Sequence, residues 1–217
     1  MANKYLLGID VGTTRIKAVL FNIHGRQVFS SSRDTRLIKS GSCSEVDMDE
    51  LWEDVAGTIK SVILKMGPGS KILAAAVSGQ GEGLWLIDKD GKPIGRAILW
   101  NDSRAESLVT ELENNPPISE SIFKITGSPL FPGATSVLLR WLKDNKPEQI
   151  AKAHNLMFCK DWIRYKLTNL ISTDTTDAST SLLNLETGTT SVELFDHLKI
   201  KNLFPLIKSI PKFILLD

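Results

Sequence analysis

The first 35 residues constrain the fold more than any other part of the sequence. They contain three β-type runs, at residues 5–9, 16–21 and 27–35, and a short glycine-containing turn separates each run from the next. Turns of this kind connect neighbouring antiparallel strands. The chain is therefore predicted to begin with a three-stranded antiparallel meander.

The segment after the meander predicts one helix followed by one strand. Apolar residues recur at helical spacing from Leu51 to Ile63. Either Asp47 or Asp49 can accept hydrogen bonds from the first N–H groups of that helix. Residues 72–78 form an apolar run, which is typical of a buried strand. This order of elements predicts an α/β unit.

The remainder of the chain changes from strands to helices. Two further apolar runs, at residues 84–87 and 94–100, predict strands joined by a turn at residues 88–92. Helical patterns then alternate with proline-containing breaks. These patterns cover residues 105–112, 119–125, 136–143 and 161–167. They predict a helical insertion on the sheet within a single unit.

Composition argues against several classes of protein. Apolar residues make up 42% and charged residues 24% of the 217 residues, and the formal net charge is +1. These values disfavour a disordered chain, and they favour neither a nucleic acid nor a membrane as a partner. Cys43 and Cys159 lie far apart without metal-type spacing. We therefore expect two free thiols and a cytoplasmic location.

The turn between the first two runs combines residue types that suit a phosphate group. Gly12 lets the backbone approach a ligand, and Thr13 and Thr14 add hydroxyl donors. Lys17 can neutralise phosphate charge, and Asp10 is placed to hold Mg²⁺ through water. The spacing alone leaves a second interpretation open, which is an ordinary hairpin turn with a polar aspartate.

Other polar residues favour structural roles. Three acids begin a helix or line a loop, where carboxylates usually cap and solvate rather than catalyse. These acids are Asp161, Asp174 and Asp177. The three histidines lack ligand spacing and are expected to be structural or solvated. They are His24, His154 and His197.

Four segments in this order resemble the amino-terminal domain of the FGGY carbohydrate kinase family. They are the turn just described, residues 78–83, residues 98–104, and Lys160-Asp161 together with residues 173–179. The resemblance covers nearly the whole of residues 1–217. It implies a ribonuclease H-like α/β fold, shared with hexokinase and actin, that has a mixed sheet and a helical insertion.

The second segment lies at the sugar pocket in that family. The matching residues are Gln80, Gly81 and Glu82, and the resemblance implies that they contact substrate hydroxyls. An ionised Glu82 would accept strong, charge-assisted hydrogen bonds from a sugar. The alternative is a solvent-exposed glutamate in a glycine-rich loop.

The third segment lies beside the pocket in the family. Asp102 follows a strand and begins a helix, so its carboxylate can cap that helix or contact the sugar. The resemblance implies that Asp102 and Arg104 structure the segment. Trp100 is more typical of a core residue than of a stacking platform.

The resemblance implies ATP-dependent phosphorylation of a sugar hydroxyl with Mg²⁺. The second and third segments look like those of ketopentose kinases, such as xylulose or L-xylulose kinases. Gly81 stands where glycerol kinases carry an arginine. Gly81-Glu82 also departs from the Met-His pair of typical D-xylulose kinases. This departure leaves L-xylulose, ribulose, another pentulose or a related polyol open, and a homodimer is open as well.

The resemblance further implies that part of the machinery lies outside this chain. The aspartate general base and the ATP-binding carboxy-terminal domain of the family would follow Asp217, so we expect no catalytic residue within residues 1–217 and no turnover by the isolated chain. The alternative class is a non-catalytic nucleotide- or sugar-binding module on the actin-like fold. Residues 80–82 and 100–102, which have no phosphate role, disfavour a module that binds only a nucleotide.

Overall fold

The computed structural model describes residues 3–206, which contain eleven strands. The strands are β1 (Lys4–Val11), β2 (Arg15–Asn22), β3 (Gln27–Asp34), β4 (Ile38–Ser40), β5 (Cys43–Val46), β6 (Lys71–Gly79), β7 (Trp85–Ile87), β8 (Ala97–Ile98), β9 (Asn155–Met157), β10 (Leu183–Asn184) and β11 (Thr189–Thr190). Most are short, and only β1, β2, β3 and β6 exceed four residues.

Eight α-helices and a terminal 3₁₀ turn at Lys201–Leu206 complete the described part of the chain. The helices are α1 (Met48–Ile63), α2 (Glu106–Glu113), α3 (Pro116–Thr126), α4 (Thr135–Asn145), α5 (Pro147–Lys152), α6 (Cys159–Thr168), α7 (Thr175–Ser181) and α8 (Val192–His197). Asp47 caps α1 by accepting hydrogen bonds from the N–H groups of Asp49 and Glu50, so the first of the two predicted caps is confirmed.

The main sheet has the strand order β3-β2-β1-β6. β1, β2 and β3 pair antiparallel, which confirms the predicted meander, while β6 runs parallel to β1. The sheet is therefore mixed. Its register sets Val11 beside Gly79, so the ends of β1 and β6 lie together at one edge of the fold.

β6 is more exposed than the sequence predicts. Leu73 is 53% exposed, and Ala74, Ala75 and Ala76 are also exposed. β6 is exposed because it is the last strand of the sheet within residues 3–206 and pairs only with β1 there. The strand is present as predicted, but the prediction that it is buried was wrong.

Alternation along β1 and β2 builds the first hydrophobic core. Leu7, Ile9 and Val11 point to the same face of the sheet and are buried against α1 and α6. Trp162 of α6 lies in this core, and its Nε1 donates to the carbonyl of Met48 at 2.8 Å. The core thus fixes α6 relative to the sheet.

β7, β8 and β9 separate this core from a second one formed largely by helices. Trp85 and Ile87 pack in the first core, whereas Leu84 and Leu86 pack in the second, as expected for alternate residues of a strand buried on both faces. Buried side chains of α2, α3, α4, α7 and α8 fill the second core. The predicted helical insertion is confirmed, but the strand predicted at residues 94–100 is shorter, at Ala97–Ile98.

Candidate functional site

The turn between β1 and β2 is fixed by backbone hydrogen bonds. The Gly12 N–H donates to the carbonyl of Arg15 at 3.0 Å, and Thr35 donates to the carbonyls of Gly12 and Thr14. The Gly12 N–H is therefore committed to the hairpin. The hydrogen bonds within residues 3–206 do not use the N–H groups of Thr13 or Thr14. These two groups, and the exposed Thr14 side chain, are the donors that remain for an anion.

Asp10 and Lys17 lie side by side on the sheet. The register sets Asp10 opposite Lys17 of β2 and Ser78 of β6, and all three residues are exposed. This arrangement puts one carboxylate and one ammonium next to the turn. It suits a phosphate group whose charge is shared between a cation and the protein.

Gln80 connects the turn to the loop at residues 80–83, which follows β6. Its N–H donates to the carbonyl of Val11 at 2.9 Å, and its Oε1 accepts from Thr13 Oγ1 at 3.0 Å. Gln80 is 8% exposed, and its Nε2 is buried without a hydrogen-bond partner in the part of the chain that the structure describes. A buried donor without a partner is costly, so this amide is available to a ligand.

Glu82 has a left-handed backbone conformation, with φ of 55°. This conformation is uncommon for residues other than glycine and tends to occur at functional sites. Its side chain is buried, and Oε2 accepts from the Thr135 N–H at 2.8 Å and from Ser181 Oγ at 2.9 Å. The Thr135 hydroxyl lies 2.7 Å from both Glu82 Oε2 and the Gly83 carbonyl. Glu82 is therefore held in place and is not the exposed loop residue of the alternative interpretation.

The second oxygen of Glu82 has no such support. Oε1 is buried and has no hydrogen-bond partner among the described residues. A buried carboxylate oxygen without a hydrogen-bond donor is energetically costly, so it favours binding of a ligand that can donate. Together with Gln80 Nε2, it gives the loop one acceptor and one donor that lack partners.

Gly81 lies against α7. A Cβ at Gly81 would lie 3.0 Å from Asp177 Oδ1, so the absence of a side chain allows this carboxylate to approach the loop. Lys160 forms an ion pair with Asp177 and also lies 3.4 Å from Asp174 Oδ1. The start of α6 and the start of α7 thus meet beside the loop.

Burial and charge act against each other at these ionisable groups. Burial alone would lower the pKa of Lys160, but Asp161, Asp177 and Asp174 outweigh it and raise the pKa. Burial would raise the pKa of Asp174, but the Lys160 ammonium and the Thr176 N–H lower it. For Asp161, burial is the stronger effect and raises the pKa. Lys160 therefore stays protonated in its position.

Trp100 lies at the surface beside the turn. It is 46% exposed, and its Nε1 donates to Thr13 Oγ1 at 2.9 Å. The prediction that Trp100 is a core residue was therefore wrong. Its indole N–H finds its partner in Thr13, so the ring stays at the edge of the site rather than inside either core.

Asp102 is committed to hydrogen bonds within the fold. Its carboxylate accepts from the Ser44 N–H at 2.6 Å and from Arg104 Nε and Nη2 at 2.8 Å each. Arg104 also donates to Glu45 Oε1 at 2.6 Å. Burial alone would lower the pKa of Arg104, but Asp102 and Glu45 raise it. This arrangement favours the structuring role of Asp102 over direct contact with a ligand.

The three acids that were predicted to cap and solvate differ in their surroundings. Asp174 caps α7 by accepting from the Thr176 N–H, as predicted. Asp161 is fully buried, accepts from the Phe158 N–H at 3.1 Å and pairs with Arg164, so it is not solvated. The Asp177 side chain is mostly buried and forms an ion pair with Lys160.

The sequence patterns did not indicate roles for Thr135, Ser181 or Lys160. Thr135 and Ser181 bond Glu82 across 53 and 99 residues of sequence, and no local pattern marks contacts of that range. Lys160 could have been found, because it adjoins Asp161 in one of the four segments. The acidic neighbour Asp161 was the signal.

Two features are absent from the described residues 3–206. No group of three or more His, Cys, Asp or Glu side chains there is arranged to hold a metal ion. No helix in that range has the length and apolar character needed to cross a membrane.

Comparison with known proteins identifies relatives in sequence and in structure. Erythritol kinase of Brucella abortus is 33% identical over 207 residues, which are 93% of this chain and 40% of the relative. Probable L-xylulose kinase of Haemophilus influenzae is 35% identical over 214 residues, which are 94% of this chain and 44% of the relative. The crystal structure of gluconate kinase from Lactobacillus acidophilus matches with a TM-score of 0.87 and 35% identity, over 95% of this chain and 42% of the other.

These matches confirm the predicted ribonuclease H-like α/β fold. The chain spans 40–44% of the length of the three proteins. Residues 5–213 also match the model of the amino-terminal domain of the FGGY family of carbohydrate kinases. The match covers nearly the whole sequence, and the chain therefore belongs to the FGGY family of carbohydrate kinases.

Proposed function

We propose that this chain is the sugar-binding half of an ATP-dependent kinase that phosphorylates a hydroxyl of a ketopentose, such as xylulose or L-xylulose, or of a related polyol. The observation that carries this proposal is the hydrogen bond from Thr13 Oγ1 to Gln80 Oε1, 3.0 Å long, which joins the turn to the loop. A phosphate at the turn and a sugar at the loop would then be neighbours. Phosphoryl transfer depends on such positioning.

Glu82 is the main sugar ligand in this proposal. Donors from Thr135 and Ser181 fix Oε2, which leaves Oε1 to accept a substrate hydroxyl. Gln80 Nε2 would donate to a second hydroxyl of the same substrate. Because both side chains are already ordered, binding costs little further side-chain entropy.

Asp10, Thr14 and Lys17 would bind the phosphoryl donor, MgATP. Asp10 fits Mg²⁺, because this ion keeps several waters and takes only one or two carboxylates beside phosphates. Mg²⁺ would supply charge stabilisation of the transferring group. Lys17 would neutralise phosphate charge, and the exposed hydroxyl of Thr14 would donate to a phosphate oxygen.

The general base and the adenine site are proposed to lie outside residues 1–217. The relatives are longer, since this chain spans 40–44% of their length. In this proposal the complete gene product is the kinase, and the chain alone binds the sugar without turnover. Cys43 and Cys159 are both free thiols, which supports a cytoplasmic enzyme.

Substitution of Glu82 tests the proposal. In the complete gene product, Glu82→Ala is expected to raise the sugar KM much more than the ATP KM, because the carboxylate faces sugar hydroxyls rather than phosphate. Loss of one charged hydrogen bond predicts a fall of roughly ten- to a hundredfold in kcat/KM for the sugar. Glu82→Gln is expected to keep part of the activity, since its amide oxygen still accepts a hydrogen bond.

Glu186→Ala serves as the control, because Glu186 is exposed in the β10–β11 turn. Its kinetics are expected to match those of the wild type. Equal sugar KM values for the wild type and Glu82→Ala would exclude Glu82 from the pocket.

A further inference from the structure

The cation beside the sugar loop is already neutralised. Lys160 is 15% exposed and pairs with Asp177, with Asp174 at 3.4 Å and with Asp161 at 4.0 Å. A substrate carboxylate could reach the ammonium only by displacing one of these partners. Displacement of Asp161 or Asp177 would leave a largely buried carboxylate without its counter-ion, which is costly.

Two acidic residues adjoin Gly81. Asp177 Oδ1 approaches the Gly81 backbone closely, since a Cβ there would lie 3.0 Å away. Glu82 is the next residue, and it is 8% exposed with Oε1 unpartnered among the described residues. Ser181, one turn after Asp177 on α7, bonds Glu82 Oε2 and so brings the two acids to one site.

The donors and acceptors without partners match hydroxyl groups. A hydroxyl both donates and accepts, so one substrate can donate to Glu82 Oε1 and accept from Gln80 Nε2. A carboxylate only accepts, and it would bring a second negative charge next to Glu82. Like charges placed together in this way weaken binding.

We infer that the sugar site selects uncharged polyhydroxy substrates, ketoses and polyols, and rejects sugar acids, through the carboxylates of Glu82 and Asp177 beside Gly81. This inference rests on the proposed function, and it assigns a specificity role to Asp177 and Lys160. The fold does not decide between the two substrate classes, because the Lactobacillus acidophilus protein named gluconate kinase shares it.

D-glucitol and D-gluconate form a matched pair of ligands, because a carboxylate in one replaces a hydroxymethyl group in the other. Isothermal titration of the complete gene product with both, and with D- and L-xylulose, measures the preference directly. The wild type is expected to bind gluconate about tenfold or more weakly than glucitol, the consequence of one uncompensated like charge. Asp177→Asn removes one negative charge and leaves Lys160 with two carboxylate partners instead of three, so the ratio of the gluconate Kd to the glucitol Kd is expected to fall at least about threefold.

Asp90→Asn is the control, because Asp90 is exposed in the turn between β7 and β8 and its substitution removes one negative charge outside the site. The ratio of the gluconate Kd to the glucitol Kd should remain at its wild-type value in this variant. Gluconate binding as tight as that of glucitol would overturn the inference and leave the kinase proposal standing. Failure of every ketose, polyol and acid to bind would instead overturn the proposed function, and the inference with it.

Discussion

At the scale of single residues, Asp102 has hydrogen-bond donors at both of its carboxylate oxygens. Its carboxylate accepts hydrogen bonds from the Ser44 N–H and from Arg104, whose side chain is only 5% exposed. Removal of the carboxylate would leave a buried guanidinium with Glu45 as its remaining anionic partner. Substitution of Asp102 is therefore expected to change the stability of the fold rather than the affinity for the sugar.

Asp102→Ala is expected to lower the free energy of unfolding by about 3–5 kcal/mol, the range for breaking a buried ion pair on one side. Urea denaturation of the chain measures this loss. The exposed Asp90→Ala is the control and is expected to stay within about 0.5 kcal/mol of the wild type. A loss below about 1 kcal/mol, combined with weaker sugar binding, would instead make Asp102 a ligand.

At the scale of elements, the loop after β6 depends on the close approach of two backbones. Gly83 has φ of +79°, and a Cβ there would lie 2.4 Å from the carbonyl oxygen of Ile98. That oxygen accepts from the Leu84 N–H at 2.7 Å, so it cannot move without disturbing the contact between these segments. Gly83 is therefore required both by its conformation and by the space around it.

Gly25 is a matched control for Gly83, because it has φ of +77° and a Cβ there would meet no atom of the described residues within 4 Å. Gly25→Ala is expected to cost about 1–2 kcal/mol, the cost of the left-handed conformation alone. Gly83→Ala is expected to cost about 1–3 kcal/mol more, because overpacking adds to that cost. Thermal or urea unfolding checks the difference, and equal losses would contradict the close approach at Ile98.

The connection between α1 and β3 predicts a pH dependence of stability. Burial alone would raise the pKa of Asp54, but Arg36 and Arg33, both 2.7 Å from its carboxylate, lower it. A lowered pKa in the folded state adds stability above the unfolded value of about 3.9, and this stability is lost as the pH falls through the folded value. The free energy of unfolding should therefore decrease between about pH 5 and pH 2.

Asp54→Asn isolates this contribution. The variant is expected to be less stable than the wild type at pH 7, and the two should converge as the pH falls, because the asparagine does not titrate. Urea unfolding at a series of pH values measures both curves. A constant difference between them from pH 7 to pH 2 would show that the carboxylate charge of Asp54 contributes nothing.

At the scale of the whole molecule, local patterns in the sequence predicted the meander and α1, because alternation and helical spacing reflect which faces are buried. The exposure of β6 was missed, since burial of a strand depends on neighbours that its own residues do not encode. The same limit applies at the site. Gln80 and Glu82 were predicted as site residues from the motif, but the left-handed φ of Glu82 and its bonds to Thr135 and Ser181 follow from tertiary packing.

We propose that a sugar at the loop of residues 80–83 receives a phosphoryl group bound at the turn of residues 10–14. The measurement that tests this most directly is sugar-dependent ADP release by the complete gene product across ketopentoses, hexoses, polyols and sugar acids. We expect release with at least one ketopentose or polyol, and loss of that activity by several orders of magnitude in Asp10→Ala. A folded, ATP-binding protein that releases no ADP with any of these sugars would contradict the claim.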